Sequence, residues 1–317
     1  MSARHACHPT TRPGAAPRRL QRGIALVLAL WITILLTAIA SSFAYTMRSE
    51  ALAARNAISL AQAQALADGA VERMAFELQR PKPVPLEAWN PDGRLRAWQE
   101  GDARIVAVAT DESARIDLNY ASQPLLTSLF QNVGGLSAED AQAVIDAIMD
   151  WKDPDELKRP NGAEEPEYRA AGRKYRPSNG PFLSVGELRL VLGVTPALYE
   201  RVAPTLTVFS RQAGINPATA PRVVLLALPN TTPEAVDTFL AQRQEALDQN
   251  LPVPMFPPAQ AFATGGAQMW RIHAEATLPD GVTFARDAVV RPSSDSKRGL
   301  VALLWQEGTP TLSQPRP

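Results

Sequence analysis

Cysteine and histidine are scarce in this chain, and most of the few copies lie at its N-terminus. Cys7, His5 and His8 all precede residue 24, so His273 is the one histidine after that point. A disulfide, a cysteine nucleophile and a Cys/His zinc site are therefore excluded after residue 23. A Ser-His-Asp triad would have to use His273, whose alternating context is typical of a solvated strand position. We therefore expect no enzyme, although a membrane-tethered hydrolase that uses only carboxylates stays open.

Charged residues, glycine and proline are all missing from residues 24–47. An apolar run of this length is enough to cross a lipid bilayer as a helix. The residues before it include five arginines and no acidic residue. Because positively charged flanks stay in the cytoplasm, we expect the N-terminus inside and the bulk of the chain on the other side of the membrane.

Three interpretations of this N-terminal segment are open. A secretory signal peptide has a shorter apolar region, but Ala38-Ile39-Ala40 before Ser41 looks like a cleavage site. A plain signal anchor needs only the apolar run. The third interpretation uses the junction, where an arginine-rich segment, Gly23 and an uninterrupted apolar helix resemble the leader of a type IV prepilin. That resemblance implies a prepilin peptidase cut between Gly23 and Ile24, with Ile24 then a methylated mature N-terminus.

Leu28 separates this chain from most proteins with such a leader. They carry a glutamate at the fifth position of the mature chain, where it pairs with a neighbouring subunit's new N-terminus. An apolar residue costs less to bury in the membrane but cannot make that pair. The absence of the glutamate resembles the minor pseudopilin K of type II secretion systems, which lies at the tip and needs no subunit beyond it.

The helix is expected to continue beyond the apolar run. From residue 24 to residue 80 there is no proline, and Gly69 is the only glycine. Pro81, Pro83 and Pro85 then end the segment. Two helices with a bend near Arg48 are the alternative. One apolar face repeats at steps of three and four residues, as in an amphipathic helix, and its members are Leu60, Ala63, Ala67, Ala70, Met74 and Leu78.

The remainder of the chain predicts a small sheet interrupted by helices. Short amphipathic segments broken by glycine and proline predict helices throughout 119–250, and the proline-rich stretch 251–258 would return the chain to the sheet. Pro279-Asp280-Gly281 predicts a hairpin turn. Alternation and β-branched residues predict strands at 102–109, 113–118, 269–278, 282–290 and 300–305.

These patterns predict an α+β fold. A long N-terminal transmembrane and amphipathic helix packs on a small antiparallel, pilin-like sheet, and a large all-α domain is inserted into that sheet. The predicted segments are a leader at 1–23, a transmembrane helix at 24–47, its continuation at 48–80, a pilin-like domain at 81–118 with 251–306, the inserted helical domain at 119–250, and a flexible tail at 307–317.

The helical segment contains a weak internal repeat. Residues 118–124 resemble residues 215–221, and each copy precedes two short helices. These units resemble helix-hairpin-helix folds, which often bind DNA. Their turns at 132–135 and 229–232 have no adjacent basic residue, and the chain after the leader carries 27 basic against 32 acidic side chains. We therefore expect no nucleic-acid partner, and a DNA-binding protein of a DNA-uptake system is the alternative.

An acidic stretch follows the first of these units. It begins with Asp150-Trp151-Lys152-Asp153-Pro154-Asp155-Glu156 and continues through Asn161-Gly162-Ala163-Glu164-Glu165 to Tyr175-Arg176-Pro177. Clustered carboxylates repel one another unless water or a cation separates them, and calcium suits an irregular acidic loop. A hydrated acidic loop without metal fits the same residues. The stretch resembles the large helical domain of pseudopilin K, and the resemblance extends over nearly the whole chain.

Membership of that family implies calcium bound in this domain. The match implies Asp150, Asp153, Asp155 and Glu165 as ligands, with Glu164 and Asn179 as further candidates, whereas Lys152 departs from a purely acidic or apolar loop. The resemblance also implies a non-enzymatic minor pseudopilin that caps the tip of the type II secretion pseudopilus. It would be a single-pass protein of the Gram-negative inner membrane with a periplasmic head. Its partners would be the minor pseudopilins I and J, through the N-terminal helix and the globular domain.

Overall fold

The computed structural model describes residues 22–80, 89–249, 251–293, 295 and 299–312. Its contacts divide the chain into two units, one ending at Ile58 and one beginning at Ser59. Most of the predicted leader, the prolines at 81, 83 and 85, and the last five residues lie outside the described residues.

The first helix, α1 (Arg22–Gln79), is continuous through Arg48. Its N-terminal part is long and apolar enough to cross a membrane, as the missing charges predict. Residues 24–58 are exposed along their whole length. Thr33 and Thr37 donate their hydroxyl hydrogens to the carbonyl oxygens of residues 29 and 33 at 2.8 and 2.7 Å. These polar groups are thereby satisfied within the helix, which a lipid environment requires.

The remaining elements follow in chain order. The strands are β1 (Asp92–Glu100), β2 (Ala103–Asp111), β3 (Ile116–Asp117), β4 (Leu206–Thr207), β5 (Trp270–Thr277), β6 (Thr283–Pro292) and β7 (Leu300–Glu307). The helices are α2 (Gln123–Asn132), α3 (Ala138–Lys152), α4 (Glu165–Ala170), α5 (Pro196–Val202), α6 (Arg222–Leu226) and α7 (Pro233–Asp248).

Five strands form an antiparallel sheet in the order β1-β2-β5-β6-β7. Strands β2 and β5 pair directly, from Arg104 opposite Thr277 to Asp111 opposite Trp270. The helices between them are therefore an insertion into the sheet, and the α+β fold is confirmed. The predicted hairpin is also confirmed, and Gly281 takes a positive φ of 87° at its turn.

The part of α1 after Ser59 packs on one face of this sheet. Ala63, Ala67, Ala70, Met74 and Leu78 are buried as their spacing predicts, whereas Leu60 is 48% exposed and lies outside the contact. Alanine dominates the buried face of the helix, so its backbone can approach the strands closely. Arg286 on β6 donates from Nε to Asp68 Oδ1 on α1 at 2.5 Å, so an ion pair supplements the apolar contact.

The strand predicted at 113–118 is wrong for most of its length. Asp111 accepts hydrogen bonds from the Ser113 amide and hydroxyl at 2.8 and 2.7 Å, and this local turn starts a short 3-10 helix, Glu112–Ala114. Side chains of this type compete with strand pairing for backbone donors. Only Ile116–Asp117 is extended, and it pairs in parallel with β4 in a separate two-stranded sheet.

A second apolar core lies among the inserted helices. It includes Leu129 and Phe130 of α2, Ile145 and Ile148 of α3, and Leu225 of α6. Phe256 and Ala259, which follow the helices in the chain, also belong to it. The domain boundaries at 118 and 251 stay a prediction.

The turns of the two helical units are used for internal contact. Asn132 Nδ2, at the end of α2, donates to the carbonyl oxygens of Leu226 and Leu228 at 3.3 and 3.2 Å. A Cβ on Gly134 would lie 2.3 Å from the Phe130 carbonyl oxygen, so only glycine fits there. The described turns thus pack the two helix-hairpin-helix-like repeats together. They give the DNA-uptake alternative no support.

A buried carboxylate joins the sheet to the inserted helices. Glu112 is fully buried and accepts from Arg271 Nε at 2.6 Å, from Arg115 Nη1 at 3.3 Å and from the hydroxyl of Thr207. Its amide also donates to the Met269 carbonyl oxygen at 2.8 Å. One side chain therefore connects the end of β2, strand β5 and strand β4.

Replacing Glu112 with glutamine should destabilise the head. The substitution leaves Arg271 and Arg115 without their shared counter-charge, and breaking a buried ion pair costs about 3–5 kcal/mol. Urea unfolding of the full chain in detergent, followed by tryptophan fluorescence, measures the loss. Glu200→Gln is the matched control, because Glu200 makes an exposed pair with Arg189 and its loss should leave the midpoint in place. Equal midpoints for both variants would contradict the role of Glu112.

Candidate functional site

The acidic loop begins at the C-terminal end of α3. Ser137 caps the start of this helix, with its hydroxyl accepting from the Asp140 amide at 3.1 Å. Asp146 and Asp150, four residues apart, lie on the same side of the helix. Asp146 accepts from the Asn161 amide at 3.2 Å, and Asp150 accepts from the Arg159 amide at 3.2 Å. The loop therefore folds back along the acidic side of α3.

Gly162 fits this loop because it has no side chain. A Cβ at this position would lie 1.9 Å from Asp150 Oδ2. The close approach presses the loop backbone against a carboxylate that is itself fully buried. The glycine at position 162 of the acidic loop thus has a steric cause.

Arg159 neutralises two of the predicted ligands. Its Nη1 donates to Asp150 Oδ1 at 2.6 Å and also to Asp153 Oδ2. The hydrogen bond with Asp153 is the largest cause that raises the pKa of Arg159. Sequence reasoning missed this residue, although a basic pair at 158–159 inside an acidic stretch was the available signal.

Glu164 is the most unusual carboxylate of the loop. Its side chain is 2% exposed, and within the described residues neither of its oxygens has a hydrogen-bond partner. Burial, followed by the charge of Asp150, raises its pKa to about 7. A buried carboxylate without a donor is costly, so this site favours either a proton or a cation.

Two further buried oxygens share this property. Asp153 Oδ1 and Asn179 Oδ1 also lack a hydrogen-bond partner among the described residues. The backbone amide of Asn179 donates to the Trp151 carbonyl oxygen at 3.0 Å, which holds the residue near α3. Its φ of 50° lies in the left-handed region. Three of the six predicted ligands therefore contribute buried oxygen atoms that nothing in the described structure satisfies.

The other predicted ligands lie farther out. Asp155 is exposed and accepts from the Leu157 amide at 2.8 Å. Glu165 is paired with Arg169 on the surface of α4, and Arg176 lies 4.0 Å away. Among the described residues, no three carboxylate, histidine or cysteine side chains are arranged to hold a metal ion as they stand.

Lys152 makes its hydrogen bonds outside the loop. Its Nζ donates to the carbonyl oxygens of Asn119 and Leu118 at 3.0 and 3.4 Å, on the segment that leads into α2. Burial lowers its pKa. The basic residue within the acidic stretch therefore ties the end of α3 to the preceding unit.

An aromatic cluster lies beneath the loop. Trp151 is buried, with ring centroids 5.8 Å from Tyr168, 6.1 Å from Phe182 and 6.4 Å from Tyr175. The Tyr168 hydroxyl accepts from the Leu192 amide at 3.2 Å, and burial raises its pKa to about 12. Since Trp151 directly follows Asp150, its fluorescence should report changes at the carboxylates.

Gly23 and Ile24 lie in the first turn of α1. The described structure contains nothing that tests cleavage between them, so this site stays a prediction.

A family model described as "Type II secretion system (T2SS), protein K" matches residues 97–211, a range that includes the acidic loop. Type II secretion system protein K of Klebsiella pneumoniae is 33% identical over 231 residues, covering 65% of this chain and 69% of the relative. The protein of the same name from Pectobacterium carotovorum is 28% identical over 258 residues, covering 71% and 76%.

A solved structure also shares the fold. It is the GspK-GspI-GspJ complex from the type 2 secretion system of enterotoxigenic Escherichia coli. One of its chains aligns with a TM-score of 0.56 at 20% identity, covering 83% of this chain and 99% of that one. Sequence relatives and fold agree, and the chain belongs to the type II secretion system protein K family.

Proposed function

We propose that this protein is a non-enzymatic minor pseudopilin that caps the tip of the type II secretion pseudopilus and supports protein export across the outer membrane. The observation that carries the proposal is α1. A single unbroken helix contains an apolar, exposed stretch followed by a stretch that packs on the sheet. A secreted soluble protein has no use for such a helix, whereas a pseudopilin needs both parts.

The tip position follows from two features. Leu28 cannot form the ion pair that a glutamate would offer to the N-terminus of a subunit beyond it. The inserted helical block would also obstruct the addition of another subunit above the head. Both features suit a subunit that ends the assembly.

The partners would be the minor pseudopilins I and J, because the related solved structure is a complex of proteins K, I and J. The contacts would use α1 and the head. The chain would cross the inner membrane once, with its N-terminus in the cytoplasm and its head in the periplasm. Prepilin peptidase would cut between Gly23 and Ile24, and Ile24 would then be methylated.

A calcium ion is proposed for the acidic loop. The donor chemistry suits calcium, because Asp153, Glu164 and Asn179 offer buried oxygens without partners among the described residues. The carboxylates would draw together around the ion, since within the described part of the chain they do not form a metal cluster as they stand. Calcium accepts six to eight oxygens in flexible geometry, so Asp155 and Glu165 could complete the set from the surface. Arg159, whose side chain is 38% exposed, can withdraw into solvent. The ion would cross-link a long loop that has no disulfide to order it.

N-terminal sequencing of the mature protein tests the pseudopilin proposal. Protein purified from cells with an intact secretion system should begin at Ile24, and Gly23→Leu should leave the leader attached. Gly69→Ala is the control, because a Cβ there meets nothing within 4 Å, and it should be processed normally. A mature chain that begins at Ser41 would instead indicate a secreted soluble protein, and one that begins at Met1 or Ser2 a plain anchor.

Chelation of calcium should lower the melting temperature of the full chain in detergent. At a ligand concentration of 100 to 1,000 times Kd, binding stabilises by about 3–4 kcal/mol, which corresponds to roughly 5–15 °C for a head of this size. Added calcium should restore the melting temperature and change the fluorescence of Trp151. Magnesium should not, because it requires near-ideal octahedral geometry.

Glu164→Gln should abolish this response to calcium while keeping the shape of the side chain. Glu200→Gln, far from the loop in sequence and exposed, should keep the response. A melting temperature that is the same with and without chelator would defeat the calcium proposal. It would leave the pseudopilin proposal untouched, because that rests on α1.

A further inference from the structure

The sheet carries a histidine between two carboxylates on the face that turns away from α1. Ile272 and Ala274 of β5 belong to the core beneath α1. Side chains alternate along a strand, so His273 and Glu275 point to the opposite face. Asp287 on β6 lies directly across from His273 in the strand register.

Both ring nitrogens of His273 contact a carboxylate oxygen. Nδ1 lies 2.6 Å from Asp287 Oδ1, and Nε2 lies 3.0 Å from Glu275 Oε1. An ionised carboxylate can only accept, so two such contacts require a hydrogen on each nitrogen. With both carboxylates ionised, the geometry is that of an imidazolium. The side chain of Glu275 is fully buried, and a buried carboxylate needs a nearby positive charge.

The chain that follows β7 lies against this cluster. We call residues 308–312 the C-terminal extension. Gly308 donates its amide hydrogen to the Ala285 carbonyl oxygen at 2.9 Å, and a Cβ there would lie 3.0 Å from Asp287 Oδ2. Farther along, the amides of Thr311 and Leu312 both donate to Glu275 Oε1, the second at 2.6 Å. One carboxylate oxygen therefore holds the histidine and the extension together.

We propose that protonated His273 clamps the C-terminal extension onto the sheet and that loss of this proton releases it. The extension is then a pH-controlled strap over the face of the sheet opposite α1. The shared Glu275 oxygen transmits the change, because it is buried and accepts from both sides.

Deprotonation has a defined consequence at this geometry. The contact with Asp287 is the shorter one, so the remaining proton stays on Nδ1 and the other proton leaves to solvent. The lone pair of Nε2 then faces Glu275 Oε1, and the buried carboxylate loses its adjacent cation. Two lone pairs then meet where they are 3.0 Å apart, and their repulsion displaces the Glu275 oxygen that also accepts from the amides of Thr311 and Leu312.

The other groups around His273 do not disfavour its protonated form. Across β2 its neighbour is Val108, which is apolar, and the extension contributes only backbone amides. The described titratable groups that face the ring are Asp287 and Glu275. Both carboxylates favour the charged imidazole, and the hydrogen bond with Asp287 is the largest cause that raises the pKa of His273.

The sign of the pH dependence follows. The folded pKa is raised above its ordinary value of 6.5. The clamp therefore contributes fully below that value and is lost as the pH rises through the folded pKa.

Hydrogen exchange of the full chain in detergent tests the strap. Peptides that cover the extension should be protected at pH 6, after correction for the intrinsic exchange rate. Protection should fall at high pH by about tenfold for each unit by which folding raises the pKa of His273. The midpoint of that fall should coincide with the pH midpoint at which the His273 ring titrates. NMR of histidine-labelled protein measures that titration, and the His273 resonance is the one missing from the spectrum of His273→Gln.

Two variants and a control sharpen the test. His273→Gln should remove the pH dependence and leave the extension poorly protected, and Asp287→Asn should move the midpoint to lower pH. Thr277→Val should behave like wild type, because Thr277 lies on the same strand face and its hydroxyl bonds to that of Thr283 among the described residues. Protection that is independent of pH in the wild type, or a midpoint that differs from that of the histidine resonance, would overturn the proposal even if a variant failed to fold.

Discussion

The direct pairing of β2 with β5 is the constraint on which the rest of the head depends. Asp111 and Trp270 are opposite one another in the ladder, although 158 residues lie between them. The inserted helices must therefore leave and re-enter the sheet at one place. A long insertion is tolerated because the entropy of loop closure grows only slowly with length. Glu112 makes the junction specific, since its carboxylate binds Arg271 of β5 and Thr207 of β4 at the point of departure.

Several carboxylates are buried in this head, and they differ in whether their oxygens have hydrogen-bond partners. Asp117 is fully buried, and its oxygens accept from three amides and the Ser210 hydroxyl. Glu112 has two arginines. Glu164 is equally buried, but its oxygens have no hydrogen-bond partner within the described residues. Because an unpaired buried carboxylate persists only where something compensates it, Glu164 marks a place that favours a proton or a cation.

Local patterns predicted those parts of the fold that local chemistry controls. The hairpin at Pro279-Asp280-Gly281 and the buried face of α1 follow from turn residues and periodicity, and both are confirmed. The strand at 113–118 failed because Asp111 binds the Ser113 amide, a side-chain effect that β-propensity does not include. The acidic stretch identified the loop, but periodicity could not show which carboxylate is buried. That depends on the return of the loop over α3, which Arg159 and the lack of a side chain at Gly162 permit.

Charge takes the place of covalent cross-links in this protein. No cysteine follows residue 23, so neither the acidic loop nor the C-terminal extension can be ordered by a disulfide. In both places a buried glutamate lies at the point where the segment contacts the rest of the head. Glu275 already has its cation, because His273 lies beside it and the extension donates to the same oxygen. The Glu164 oxygens have no hydrogen-bond partner within the described residues, and the nearby side chain of Arg159 is committed to Asp150 and Asp153. The proposed proton on His273 and the proposed calcium ion are thus equivalent physical solutions. Both would make the order of a segment depend on solution conditions that do not affect a disulfide.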